Sequence, residues 1–106
     1  MRILFLGDVV GISGYSKIMN TLKDEIKSKE IDFVIVNGEN AAEQGVGLTE
    51  EICQNFFNCG VDVITTGNHV WDQKETAEYI NTESRLLRPL NLIKPSPGKG
   101  FEIYKS

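Results

Sequence analysis

Three short apolar runs, each stopping at a small polar cluster, constrain this chain more than any other feature. Arg2-Ile3-Leu4-Phe5-Leu6 runs into Gly7-Asp8. Asp32-Phe33-Val34-Ile35-Val36 runs into Asn37-Gly38-Glu39-Asn40, and Val61-Asp62-Val63-Ile64-Thr65-Thr66 into Gly67-Asn68-His69. Unbroken apolar runs of this length suit the strands of a parallel sheet, which is covered on its faces. In open α/β sheets the ligand site gathers beyond the carboxyl ends of the strands. Asp8, Glu39, Asn40, Asn68 and His69, far apart in sequence, are therefore expected to converge. Carboxylates, amides and one imidazole suit a hard divalent metal better than a nucleotide phosphate.

Helical patterns separate the runs, so the order reads strand, helix, strand, helix, strand, helix, then an irregular tail. The spacing predicts a first helix over residues 15–29, with Ile18, Leu22 and Ile26 on its buried face and Lys23, Asp24 and Lys27 in water. A second helix has Thr49 as N-cap, Glu50 and Glu51 in its first turn, Ile52 and Phe56 as its apolar stripe, and Gly60 just past its end. A third is expected to begin near Asp72, with Asp72 and Glu75 at capping-box spacing. Strands alternating with helices imply βαβ crossovers and a mainly parallel sheet with flanking helices. The loop from Gly38 to Gly47 holds three glycines and has little to bury. All three prolines fall between Arg88 and Gly100, which reads as extended. Phe101-Glu102-Ile103-Tyr104 alternates like the opening of another strand. Residues 1–106 thus read as the N-terminal portion of one longer domain.

Composition narrows the function classes. A formal net charge of −4 gives no basic footprint for duplex nucleic acid, which is gripped through its phosphates. It leaves room for a small nucleotide held through metal ions. No stretch approaches the roughly 20 apolar residues of a membrane span, and no signal-peptide pattern opens the chain. Cys53 and Cys59 lie on one predicted helix pointing in different directions, without zinc-ligand spacing. They read as reduced thiols of a cytoplasmic protein.

Each polar cluster has a bland reading beside the functional one. Asp8 can cap a helix. The segment from Gly7 to Gly14 is rich in glycine, but it is neither Gly-x-Gly-x-x-Gly nor a P-loop and lacks the required lysine. The Glu39-Asn40 segment can be a solvated loop, although a carboxylate there can bridge two metals and an amide oxygen is a hard neutral ligand. His69 is the only histidine in the chain, and lone histidines are more often structural than catalytic. At a strand end, however, Asn68 can bind metal while His69 faces a substrate and protonates a leaving alkoxide. Val70 and Trp71 are expected to pack beneath this loop. Jointly, three strand ends that each carry a ligand type and a glycine are not bland.

These segments resemble the first three motifs of the calcineurin-like metallophosphoesterases. The forms Gly-Asp-Val-Val-Gly, Asn-Gly-Glu-Asn-Ala-Ala and Gly-Asn-His-Val-Trp-Asp are similar to the YmdB-like branch, described as 2′,3′-cyclic nucleotide 2′-phosphodiesterases. The likeness runs on through Arg88-Pro89-Leu90-Asn91 and Pro97-Gly98-Lys99-Gly100. It implies the N-terminal half of an αββα sandwich and two-metal hydrolysis of a small phosphodiester, with iron or manganese as the metals. Asp8 and Asn40 would bind one metal, Asn68 the other, Glu39 would bridge them, and His69 would donate the proton. Val10 stands where the wider superfamily has histidine, and Glu39 where aspartate is commoner; both departures agree with the YmdB-like branch. That family's second half carries further metal-binding histidines. Four side chains are few for two metals that each want about five or six donors. A separate C-terminal half or a homo-oligomer is therefore an expected partner. The rival expectations are a catalytically incomplete remnant that acts as a binding or partner-dependent module, and a nucleotide-binding βαβ module.

Overall fold

The structure is a computed structural model that describes residues 1–93 and 95–106. The elements run β1 (Ile3–Leu6), α1 (Gly11–Lys29), β2 (Phe33–Asn37), α2 (Glu50–Cys59), β3 (Val63–Thr65), α3 (Thr76–Tyr79) and β4 (Leu86–Leu87). The strands form one sheet in the order β1-β2-β3-β4, every neighbouring pair parallel. The register pairs Leu6 with Val36, Asn37 with Thr65 and Thr65 with Leu87. All four carboxyl ends therefore open on the same edge, and the expected α/β architecture with a parallel sheet is the one found.

Leu4 and Leu6 face α1, lining a cleft with Ile18 and Leu22. Beyond them the core joins Val34, Val36 and Ile64 of the sheet to Leu22, Phe56 and Cys53 of the helices. Tyr15 of α1 meets Phe56 of α2 edge-on, ring centroids 5.6 Å apart. The opposite face of β1 is open: Ile3 is 56% and Phe5 61% exposed. The C-terminal tail approaches that face, with the Tyr104 ring 6.1 Å from that of Phe33 on β2.

α2 follows the sequence closely. The Thr49 side chain accepts from the Ile52 N–H at 3.2 Å, and Gly60 ends the helix with φ of 112°. Cys53 and Cys59 are free and buried. Val70 is buried and Trp71 packs against the core as expected.

Five expectations need correction. α1 begins at Gly11, four residues before Tyr15, because Val10 bridges Asn40 and the Gly11 N–H donates to the Asn40 carbonyl at 2.9 Å. That long-range bond starts the helix inside what reads as a glycine loop. The loop from Gly38 to Gly47 buries more than expected: Ala41 and Ala42 are 1% and 0% exposed. The third helix shrinks to Thr76–Tyr79 with no side-chain cap. Asp72 does not cap it, since its carboxylate is engaged by His69, and residues 68–75 are turns and bends. Arg88 to Gly100 is not extended: Lys94 lies outside the described residues, and turns close from Leu92 to Pro89 and from Ser96 to Ile93. The fourth strand is Leu86–Leu87, not Phe101–Tyr104. Leu87 pairs with Thr65 and Lys99, whereas residues 101–104 have no strand partner among the described residues, and of their apolar side chains Phe101 and Ile103 are exposed while Tyr104 lies against Phe33.

Candidate metal centre

The sheet presents Asp8, Glu39 with Asn40, and Asn68 with His69 beyond the ends of three adjacent strands. The link between the first two is direct. Val9 donates to the Asn37 carbonyl at 3.2 Å, and the Val10–Asn40 bridge follows. Asn40 Nδ2 then donates to both oxygens of Asp8, at 3.1 and 3.0 Å. An amide donor facing a carboxylate fixes which way the amide points, since turning it would set two acceptors against each other. Asn40 Oδ1 is left facing away from Asp8, buried, with no hydrogen-bond partner.

Glu39 carries a second orphaned acceptor. Its Oε2 is buried and unpartnered, and its carboxylate lies against Gly67 so closely that a Cβ there would overlap it. Gly67 thus lets the second strand's acid lie under the third strand's loop. Asn68 is exposed on that loop and His69 half-buried. Neither has a hydrogen bond to Asp8, Glu39 or Asn40 among the described residues. His69 instead pairs with Asp72, Nδ1 lying 2.8 Å from Oδ2.

The donor set fits a hard cation. A buried acceptor without a partner costs about 1–3 kcal/mol, and here two such oxygens adjoin the Asp8 carboxylate, with no lysine or arginine paired to any of them among the described residues. A divalent cation satisfies acceptors of this kind. Half of the four expected ligands are amides, and among the described residues no three His, Cys, Asp or Glu side chains form a metal-holding group. The thiols stand outside the cluster: burial pushes the Cys53 thiol well above its ordinary range, so it is neither a nucleophile nor a ready ligand.

Two residues escaped the sequence reading. Asp72 read as a helix cap, and its spacing of three residues after His69 was the available signal. Arg88 follows β4 at the same edge of the sheet. Its Nε is a third buried atom without a partner.

The sequence profile of the family described as "YmdB-like protein" matches residues 4–106. A "2′,3′-cyclic-nucleotide 2′-phosphodiesterase" of Bacillus subtilis (strain 168) is 45% identical over 107 residues, covering 100% of this chain and 40% of the relative. The crystal structure of a hypothetical protein from Thermus thermophilus superimposes with a TM-score of 0.90 at 39% identity, over 100% of this chain and 40% of that one. That of a novel phosphatase from Mycoplasma pneumoniae gives a TM-score of 0.86 at 38% identity, over 98% and 39%. The chain spans about two-fifths of the length of these relatives. Among the described residues no helix is long and apolar enough to cross a membrane.

Proposed function

The chain belongs to the YmdB-like protein family, and from that premise we propose that it is the N-terminal portion of a metal-dependent phosphodiesterase acting on small phosphodiesters, 2′,3′-cyclic nucleotides first among them. The observation that carries this reading is the pair of orphaned buried acceptors, Glu39 Oε2 and Asn40 Oδ1, beside Asp8. Asp8 would hold one metal, joined by Asn40 once its amide turns Oδ1 toward the ion, Asn68 would hold the other, and Glu39 would serve both; iron or manganese suits this set of oxygens and the histidines expected from a second half. When bound, such metals supply positive charge where the phosphoryl oxygens gain negative charge in the transition state. Glu39 and Asp8 set the charge of the site, and Asn40 orients Asp8 through its two hydrogen bonds. His69 gives its proton to the departing oxygen. Hydrolysis of a 2′,3′-cyclic nucleotide frees one ribose hydroxyl, so the leaving group is an alkoxide that needs that proton.

The test is hydrolysis of bis-p-nitrophenyl phosphate and of a 2′,3′-cyclic nucleotide with Mn²⁺ or Fe²⁺ supplied. Turnover that requires metal and falls at least about a hundredfold in Glu39→Ala is the expected outcome. Turnover indifferent to both would sink the reading. A second reading, a module that works only with a partner half, is favoured by the scarcity of donors in a chain with one histidine. It predicts turnover only when the second half is added.

A further inference from the structure

His69 does not stand alone at the end of β3. Its Nδ1 lies 2.8 Å from Asp72 Oδ2, and the two side chains are 36% and 38% exposed. The pair is thus held together yet open on one side. An ionised carboxylate only accepts hydrogen bonds, so the hydrogen of this contact sits on Nδ1 and Nε2 is the nitrogen left for a ligand.

Two things fix Asp72 in place. The turn itself does so, through the bonds from Val70 N–H to the Gly67 carbonyl and from Asp72 N–H to the His69 carbonyl, both 3.1 Å. The loop after β2 does so from behind. Gly47, with φ of +80°, lies so close that a Cβ there would sit 3.1 Å from Asp72 Cβ and 2.9 Å from Gln73 Cγ. That loop is anchored in turn, since the Ala42 N–H donates to the Gly47 carbonyl at 3.0 Å and the Thr76 hydroxyl to the Leu48 carbonyl at 2.6 Å. The segment that begins with Glu39 and Asn40 therefore ends as the backing of the His69 pair.

We propose that Asp72, buttressed by Gly47, is the positioning residue that holds His69 with Nδ1 protonated and Nε2 directed to the departing oxygen. The inference rests on His69 being the proton donor. As the phosphorus–oxygen bond breaks, the Nε2 proton passes to the leaving oxygen. The ring that remains is the neutral Nδ1–H form that Asp72 already holds. No tautomeric rearrangement is needed afterwards, and Nε2 is free to take up the next proton from water.

The experiment reads the ring directly. His69 is the only histidine in the chain, so nitrogen-15 NMR of the metal-free protein, at a pH that keeps the ring neutral, reports one tautomer without assignment. The Nδ1–H form is expected in the native chain. In Asp72→Asn it should give way to the Nε2–H form that a free imidazole favours, with the amide spectrum elsewhere unchanged. Gly47→Ala should move the ring in the same direction. An unchanged tautomer in a folded Asp72→Asn would overturn the proposal. A second readout compares leaving groups in protein that turns over. Asp72→Asn should slow release of a ribose alkoxide roughly ten- to a hundredfold, part of the ~10²–10⁴-fold that a general acid contributes, while sparing p-nitrophenolate release. Equal losses on both would assign Asp72 a merely structural role and overturn the proposal. If the ring responds as expected in a chain that hydrolyses nothing under any condition, the phosphodiesterase reading fails while the positioning contact stands.

Discussion

Gly67 is the residue on which the two halves of the cluster meet. The Glu39 carboxylate occupies the space that any side chain at position 67 would need. Substitution to alanine has a defined consequence because the obstructing group is the end of a flexible side chain rather than backbone. Glu39 would swing away, and the fold would remain. Gly67→Ala is therefore expected to weaken Mn²⁺ binding about ten- to a hundredfold, the range typical of disturbing the groups around metal ligands. The urea midpoint should move little. Calorimetric titration beside a denaturation curve measures both, and an unchanged affinity would mean that Glu39 is not a ligand. Position 40 carries a related expectation. Asn40→Leu removes the donor that Asp8 relies on and one orphaned acceptor together. It should abolish metal binding while costing little stability, since an unsatisfied buried oxygen goes with it.

At the scale of elements, α2 is the most self-sufficient piece. Its N-terminal bond from Ile52 N–H to Thr49 Oγ1 and its left-handed end at Gly60 are local, and Glu50 and Glu51 face the positive end of the helix dipole. Thr49→Ala should lower unfolding stability by about 1 kcal/mol, read from a urea curve. The approach to β4 depends on charge instead. Glu83 accepts from Arg85 Nε and Nη2 at 3.0 and 2.8 Å, and the guanidinium stands 3.9 Å over the Phe57 ring of α2. The hydrogen bonds from Arg85 hold the Glu83 carboxyl below its ordinary value. A group whose value is lowered by folding stabilises the native state above the unfolded carboxyl's range. That contribution is lost as the pH falls through the folded value. Native stability is thus expected to drop as the pH is taken below about 4.5, and Glu83→Gln should flatten that part of the profile. A mutant profile as steep as the native one would show that other carboxyls dominate.

On the scale of the whole molecule, the helices cover one face of the sheet, and the other is bare at β1. Ile3 and Phe5 on β1, with Phe101 and Ile103 of the tail, are large apolar side chains facing water. Exposed apolar side chains of this size favour association. The isolated 106-residue chain is expected to self-associate with concentration in sedimentation velocity, and Phe5→Lys should shift it toward monomer. Much of this architecture was legible in the sequence. The three apolar runs specify strands because burial on a sheet demands such runs, and the caps of α2 specify its ends because their hydrogen bonds are made within a few residues. Asp8, Glu39, Asn40, Asn68 and His69 were legible as strand-end residues for the same reason. Their local sequence marks where each strand stops, and a parallel sheet puts those stops on one edge. What stayed hidden depended on partners far along the chain. The start of α1 is set by the carbonyl of Asn40, β4 by two residues of pairing with β3, and the orphaned state of Glu39 Oε2 by the packing of Gly67 over it. Asp72 shows the division most clearly. Its spacing to Glu75 gave it a cap's role, yet the carboxylate bonds His69, and Gly47 of another loop packs against its Cβ position. Sequence alone determined the first three strands, their parallel order and the set of chemical groups at their ends, because those follow from local pattern and chain direction. Only the tertiary structure decided which of those groups touch, since competing hydrogen bonds are settled by what the rest of the chain brings within reach.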